Sequence, residues 1–282
     1  MSSFFSYDPL WTQTLTMPFM RNAFLAGLCI ALSAGSIGYF TIARNSTTFA
    51  SHALAHIALP GATGAALLGV PIALGLGVFA VGGAWVIAAL GKRAGEREIA
   101  TGTVLAFATG LGLYFARMSS SASQQLQAIL FGSILTITPD QIIGFAIFDA
   151  VLIILMCIVY RPLLFSSLDE QVAQAKGVRV GIMNALFMTI LAGVITIAVP
   201  AVGTLLIFAL VVTPAATSMI ITDSPFKAIV MAMVLCLVSI WGGLVISTMF
   251  PAPPSFVIVT LSTLFWGIAK GVESVRNHRN GD

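Results

Sequence analysis

Apolar runs of about 20 residues recur from one end of the chain to the other, and nothing else in the sequence limits its fold as much. That is the length a helix needs to cross the hydrocarbon of a bilayer. Such runs lie at 22–42, 49–69, 71–90, 98–116, 140–160, 182–199, 203–221, 227–249 and 255–270. The second is the most polar, and the sixth and seventh are separated only by Pro200–Val202, so eight or nine spans are expected. A transmembrane barrel would instead alternate apolar and polar residues, and that pattern is absent. Only 8% of residues are charged, against about 25% in a soluble domain. The fold class is therefore all-α: one polytopic transmembrane domain over residues 1–282, with no water-soluble domain and no low-complexity linker.

Charge placement predicts orientation. With the N-terminus outside, the inside loops hold Arg44, Lys92, Arg93, Arg97, Arg161, Lys176, Arg179, Lys227, Lys270, Arg276 and Arg279, which is 11 of the 13 Lys and Arg residues. Arg21 and Arg117 stay outside. The positive-inside rule then favours N-out, C-in, provided nine segments cross. The net charge of +3 says little about partners, because position matters more than sum, and no nucleic-acid partner is expected. The first residues lack a basic region, so no cleaved signal peptide is read; Phe4, Phe5, Tyr7 and Trp11 are expected to form an interfacial belt. Cys29, Cys157 and Cys236 fall in separate runs without CxxC spacing and read as small buried hydrophobes. Gly27, Ala31, Gly35 and Gly38 in the first run, and Gly102, Ala106 and Gly110 in the fourth, are expected to let helix backbones approach closely. The longest non-spanning pieces are Met118–Pro139, outside, and Arg161–Val180, inside.

Within so apolar a chain, ionisable groups need a reason. His52 and His56 are four apart, which puts them on one helical face with Cβ atoms roughly 5–6 Å from each other. Two imidazoles so placed can converge on one divalent ion. Pro60 offers no N–H to the carbonyl of His56, which predicts a kink one turn above it. Irregular backbone at membrane depth is tolerated only against protein or a water-filled cavity. The pair and the break therefore point to one accessible path. The alternative is that both histidines only hydrogen-bond between helices. A zinc protease motif is excluded, because "HALAH" carries alanine where the general-base glutamate of HExxH stands.

Three further stretches carry polar groups worth following. Asp149 is the only carboxylate deep in a long apolar run, a functional candidate by default, or else a neutral group paired with a neighbour. Pro214 lies mid-span, freeing the carbonyl of Leu210 beside Thr213 and Thr217; a pathway-lining kink and a plain proline kink are both open. "LLFSSLDEQVAQAKGVRVG" is the only long polar stretch inside. It reads as a short helix with Ser167 as N-cap, Asp169 and Glu170 in the first turn, and Gly177 ending it. Leu168, Val172 and Ala175 would form an apolar stripe suited to a partner's groove; an ordinary surface helix between two spans is the alternative.

Four motifs in order, "SHALAHIALPG", "LFGSILTITPDQI", "SLDEQVAQAKGV" and "VGTLLIFALVVTPAAT", together resemble the zinc/manganese/iron permease family of ABC transporters, over residues from about Met20 to Val272. The resemblance implies a permease subunit of a binding-protein-dependent importer in a bacterial inner membrane. It implies a metal path past His52 and His56, and a coupling helix at Ser167–Gly177 docking on a cytoplasmic ATPase. The partners it implies are that ATPase, an extracytoplasmic metal-binding protein, a second copy or a related permease, and membrane lipid. No permanently bound cofactor is expected; the cargo is zinc, manganese or iron. Family members commonly have Asp four residues before the histidine, where this chain has His52. Imidazole suits zinc, whereas manganese favours oxygen, so the departure leans toward zinc. The chain lacks the Walker A pattern GxxxxGK[ST], so ATP is expected on a separate subunit and the chain itself is not an enzyme. An ion-coupled secondary transporter would need matched broken helices in two halves, and an intramembrane metal-dependent enzyme would need a third ligand and a general base. Neither pattern is found.

Overall fold

The computed structural model describes residues 11–280 apart from 45–46 and 91–93. Phe4, Phe5 and Tyr7 of the expected belt, and Lys92 and Arg93 of the expected inside loops, lie outside the described residues. Among the described residues every regular element is helical. They are α1 (Trp11–Leu15), α2 (Pro18–Ala43), α3 (Thr47–Ile57), α4 (Leu59–Leu68), α5 (Ile72–Leu90), α6 (Ala94–Met118), α7 (Ser120–Phe131), a 3₁₀ turn (Ile134–Thr136), α8 (Pro139–Leu168), α9 (Glu170–Ala175), α10 (Val180–Val202), α11 (Thr204–Ile221), α12 (Pro225–Met249) and α13 (Pro254–Asn280). Eight of these are long and apolar enough to cross a membrane: α2, α5, α6, α8, α10, α11, α12 and α13. The second run, 49–69, is present as α3 and α4, each too short to be counted by itself.

Contacts sort the chain into two units whose boundaries fall inside α2, α8 and α11 and between Ser133 and Ile134. One takes residues up to Tyr39, residues 134–151 and everything from Ala209 on. Its packing runs through small residues of α2. A Cβ added at Gly35 would meet the backbone of Met233, one at Gly27 the side chain of Ile240, and one at Gly38 the carbonyl of Val211. Such close approaches maximise dispersion where lipid supplies no hydrophobic drive. Trp241 donates its indole N–H to the carbonyl of Phe24 at 3.1 Å and stacks edge-on against that ring.

The other unit holds residues 40–133 and 152–208. Here α4 lies backbone to backbone against α5, since a Cβ on Gly61 would strike the carbonyl of Gly75, and the reverse. Gly83 receives the side chain of Ile57, and Gly112 of α6 meets Leu59 and Pro60. Gly132 and Gly203, with φ of 65° and 86°, end α7 and α10 against each other. No side chain fits between those two backbones.

The non-spanning piece Met118–Pro139 contains α7, started by Ser119, whose hydroxyl accepts from the Ser121 N–H at 3.2 Å. Several expectations change. Gly203, not Pro200–Val202, separates the sixth and seventh spans, because α10 runs through Pro200. In α6 the small residues chosen point the wrong way: nothing lies within 4 Å of a Cβ on Gly102 or Gly110. Thr101, Ala108 and Gly112 form the buried face instead. Of the cysteines only Cys236 is buried; Cys29 is half-buried and Cys157 exposed.

Candidate functional site

The residues on the open face of α3 are few. Thr47, Ala50, Ser51, Ala53, Leu54, Ala55 and Ile57 are buried, leaving Thr48, Phe49, His52 and His56 uncovered or half-covered. The spacing that gathers them is one helical turn per step. The two imidazole rings sit 4.9 Å apart between centroids, tilted by 70°. His52 also meets Phe208 edge-on, again at 4.9 Å. The Nδ1 of His52 is buried without a protein hydrogen-bond partner. A buried polar atom left so is uncommon and calls for an explanation. An imidazole nitrogen in that state keeps its capacity for a ligand from outside the chain.

The break beyond the histidines falls between His56 and Pro60, within the expected turn. The interruption is at Ala58, whose N–H still bonds the Leu54 carbonyl at 3.1 Å and whose own carbonyl receives the Ala62 N–H at 3.2 Å. Pro60 falls in the first turn of α4, where its missing N–H is one of the four that no helix pairs internally. Proline thus starts the second helix, and Ala58 is the joint.

Asp149 is buried at 5% exposure. On α8 the exposed residues Ile143, Ile147, Val151, Ile154 and Ile158 form one stripe, while Phe145, Asp149, Leu152, Met156 and Val159 form the buried one. The carboxyl is therefore turned into protein, facing the Cys29 thiol, with Oδ2 lacking a partner. Asp149 and the histidines belong to different units. Among the described residues no group of three or more His, Cys, Asp or Glu side chains comes together to hold a metal. Pro214 lies inside a helix that stays continuous from Thr204 to Ile221. Thr217, buried beside it, donates to the Thr213 carbonyl at 2.8 Å and not to the carbonyl that proline frees.

In the polar stretch, α8 continues through Pro162 to Leu168, so the expected loop from Arg161 is partly helix. Ser167 is not the N-cap. Its hydroxyl donates back to the Leu163 carbonyl at 2.6 Å, a bond available only while α8 persists. Asp169 caps α9, accepting from the N–H groups of Gln171 and Val172 at 2.9 and 3.0 Å. Glu170 opens the first turn, and Gly177, at φ 81°, carries the left-handed residue that ends the segment. Ala173 is the one buried residue of α9; Leu168, Val172 and Ala175 all face away from the chain. Leu168 is 63% exposed and Val172 46%.

One residue escaped the sequence reading except as a charge. Arg44, 9% exposed, donates from Nη1 to the hydroxyls of Ser166 and Ser167 at 3.3 and 3.2 Å. From Nη2 it donates to Oδ1 of Asn184, and its guanidinium lies 5.4 Å from the centre of the Phe187 ring. A basic residue ending an apolar run gives no hint of such partners, which lie more than 120 positions away in sequence.

Eight long apolar helices, and a further interrupted helix that carries two neighbouring imidazoles, define an all-α polytopic membrane protein. The chain belongs to the ABC 3 transport family, whose model matches residues 16–271. It is similar to the manganese import system permease protein ScaB of Streptococcus parasanguinis, 32% identical over 250 residues covering 88% of each chain. It is also similar to the chelated iron transport system membrane protein YfeC of Yersinia pestis, 27% identical over 256 residues, covering 89% of this chain and 87% of that one. Among solved structures, PsaBC from Streptococcus pneumoniae in complex with Fab matches with a TM-score of 0.82 at 28% identity, over 92% of this chain and 94% of that chain. The four-motif resemblance stands.

Proposed function

We propose that this chain is the membrane permease of an ATP-driven, binding-protein-dependent importer of divalent transition-metal ions. The observation that carries the reading is the histidine pair on the one uncovered face of an interrupted helix, in a chain of the ABC 3 transport family. Two imidazoles make a weak, incomplete coordination sphere. A closed four-ligand site would hold zinc too tightly, whereas transport needs an ion to enter and leave. The relatives are named for manganese and for chelated iron. His52 shifts the chemistry of this chain toward nitrogen ligands, so we place zinc ahead of manganese among its cargoes.

The supporting parts follow from the same reading. Leu168, Val172 and Ala175 form the face that an ATPase subunit covers, and the ATPase supplies the energy this chain has no motif to harvest. The permease works as one domain, in a bacterial inner membrane, as a pair with itself or a related chain. Its N-terminus is outside and its C-terminus inside, and an extracytoplasmic binding protein delivers the ion. Asp149 is assigned to the path for its carboxylate, and Pro214 to the shape of a lining helix.

The test is reconstitution with the ATPase and binding protein in vesicles, followed by uptake of zinc, manganese and iron in competition. ATP-dependent uptake lost in the His52→Ala/His56→Ala double variant is the expected result. Normal uptake by a correctly inserted double variant would return the histidines to a packing role.

A further inference from the structure

We infer that Arg44 is a positioning residue that joins the two flanks of α9 to the helix carrying His52 and His56; this rests on the importer reading above. The connection can be followed bond by bond. Toward α8, Arg44 reaches Ser166 and Ser167. Both hydroxyls spend their protons on the Leu163 carbonyl, at 3.0 and 2.6 Å, so their lone pairs are left to accept from the guanidinium. These serines are in the last turn of α8; Leu168 follows directly and Asp169 then caps α9. Toward α10, Arg44 holds Asn184, in the second turn after α9 hands over through Val178 and Arg179. The stems on both sides of α9 are thus gripped by one planar fork.

The third connection is to α3. The Arg44 carbonyl accepts the Thr47 N–H at 3.1 Å and the Thr47 hydroxyl at 3.3 Å, fixing the first residue of that helix. Thr48 adds a bond to the Thr41 carbonyl at 3.2 Å, so the end of α2 and the start of α3 form one corner. His52 lies five residues beyond Thr47, about 7.5 Å along a helix axis. A short α-helix is stiff along its axis, and a shift of its first turn is carried to the histidines. The corner is not packed solid: a cavity of about 470 Å³ borders Arg44, Thr47, Trp85, Asn184 and Met188. A guanidinium at the edge of such a space has room to exchange acceptors as α9 moves. Arginine suits the task because its donors are fixed in one plane, whereas lysine is a single point charge unable to span all three acceptors.

If Arg44 transmits motion, breaking it separates ATP hydrolysis from metal movement without removing the ATPase. The experiment uses the complete importer in vesicles, comparing wild type with Arg44→Gln, Arg44→Lys, Asn184→Ala and Ser166→Ala/Ser167→Ala. Each is measured for ATPase pull-down, thermal unfolding, ATP hydrolysis with and without loaded binding protein, and metal taken up per ATP. The expected result is an assembled Arg44→Gln complex whose metal moved per ATP falls about fivefold or more, the lower end of ordinary coupling strengths. Arg44→Lys is expected to recover only part, and the two milder variants, each losing one arm, to fall in between. Should Arg44→Gln fail to fold, those milder variants decide. A purely structural role predicts a lower unfolding temperature with an unchanged ratio of metal to ATP in every folded variant, and that outcome overturns the inference. Wild-type vesicles that move no divalent metal would overturn the importer reading itself and this inference with it, whereas coupled wild type beside coupled variants defeats only the role of Arg44.

Discussion

The imidazole rings of His52 and His56 lie 4.9 Å apart and tilted by 70°, on a helix whose remaining faces are closed by packing. Phe208 touches His52 from the other side at 4.9 Å. On the importer reading proposed above, these two imidazoles make a partial ligand set for an ion that brings its other ligands. His56→Ala is expected to lower metal uptake by at least about tenfold, equivalent to 1.4 kcal/mol of lost interaction, with His52→Ala weaker or equal. Insertion and thermal stability should stay near wild type, because both side chains are only half-buried. Uptake in vesicles, normalised to the amount of inserted permease, checks this; undiminished uptake by both variants removes the histidines from the path.

His52→Asp tests selectivity at the same position. Exchanging imidazole for carboxylate replaces a nitrogen ligand with a hard, charged oxygen, which manganese prefers and zinc does not require. Transport should persist, and the ratio of manganese to zinc uptake in direct competition should rise. An unaltered ratio locates selectivity at other residues.

The membrane spans were legible because a lipid-crossing helix must be apolar for its whole length, and nine runs of that length are visible by eye. What the sequence concealed follows from the same physics. In lipid, large and small apolar side chains are tolerated on either face, so α6 shows no amphipathic contrast to separate Gly110, open on the outside, from Gly112, pressed against Pro60. The helix joint at Ala58 falls in the turn before Pro60, where the proline withholds an N–H from the carbonyl of His56. Ser167 was mistaken for a cap because α8 continues past Pro162, where neighbouring packing outweighs local preference. Leu168, Val172 and Ala175 are exposed, but Leu168 ends α8 and the extended backbone of Asp169 separates it from the other two, so helical spacing alone does not carry one stripe across all three. Arg44 and Phe208 were missed because their roles rest on partners distant in sequence, and nothing local marks them.

Gly61 marks where α4 and α5 have no room for a side chain. A methyl group there would strike the carbonyl of Gly75, a backbone atom unable to turn aside. Gly61→Ala is expected to destabilise the protein by roughly 1–3 kcal/mol, the usual cost of overpacking. Gly110→Ala, where nothing lies within 4 Å, should be neutral or slightly stabilising. Thermal unfolding in detergent compares the two directly. Equal stability would mean that the α4–α5 contact is loose enough to open.

The last prediction concerns the exposed apolar residues of the α8–α9 junction. If an ATPase subunit covers them, these side chains matter more than the charges, since burying side chains of this size is worth ~1.5–3 kcal/mol each. Exposed ion pairs usually contribute under about 1 kcal/mol. Leu168, at 63% exposure, has no structural debt to the rest of the chain, so Leu168→Asp should leave the spans intact and the protein folded. It should also place an unpaired charge in the covered interface and weaken ATPase binding severely. Glu170→Gln should be mild by comparison, because Glu170 is exposed and the cap on α9 is made by Asp169, not by Glu170. Pull-down of the ATPase together with binding-protein-stimulated hydrolysis in vesicles measures both effects. Full assembly and full stimulation in Leu168→Asp would show that this face is not the docking surface, and that the ATPase reaches the permease by another route.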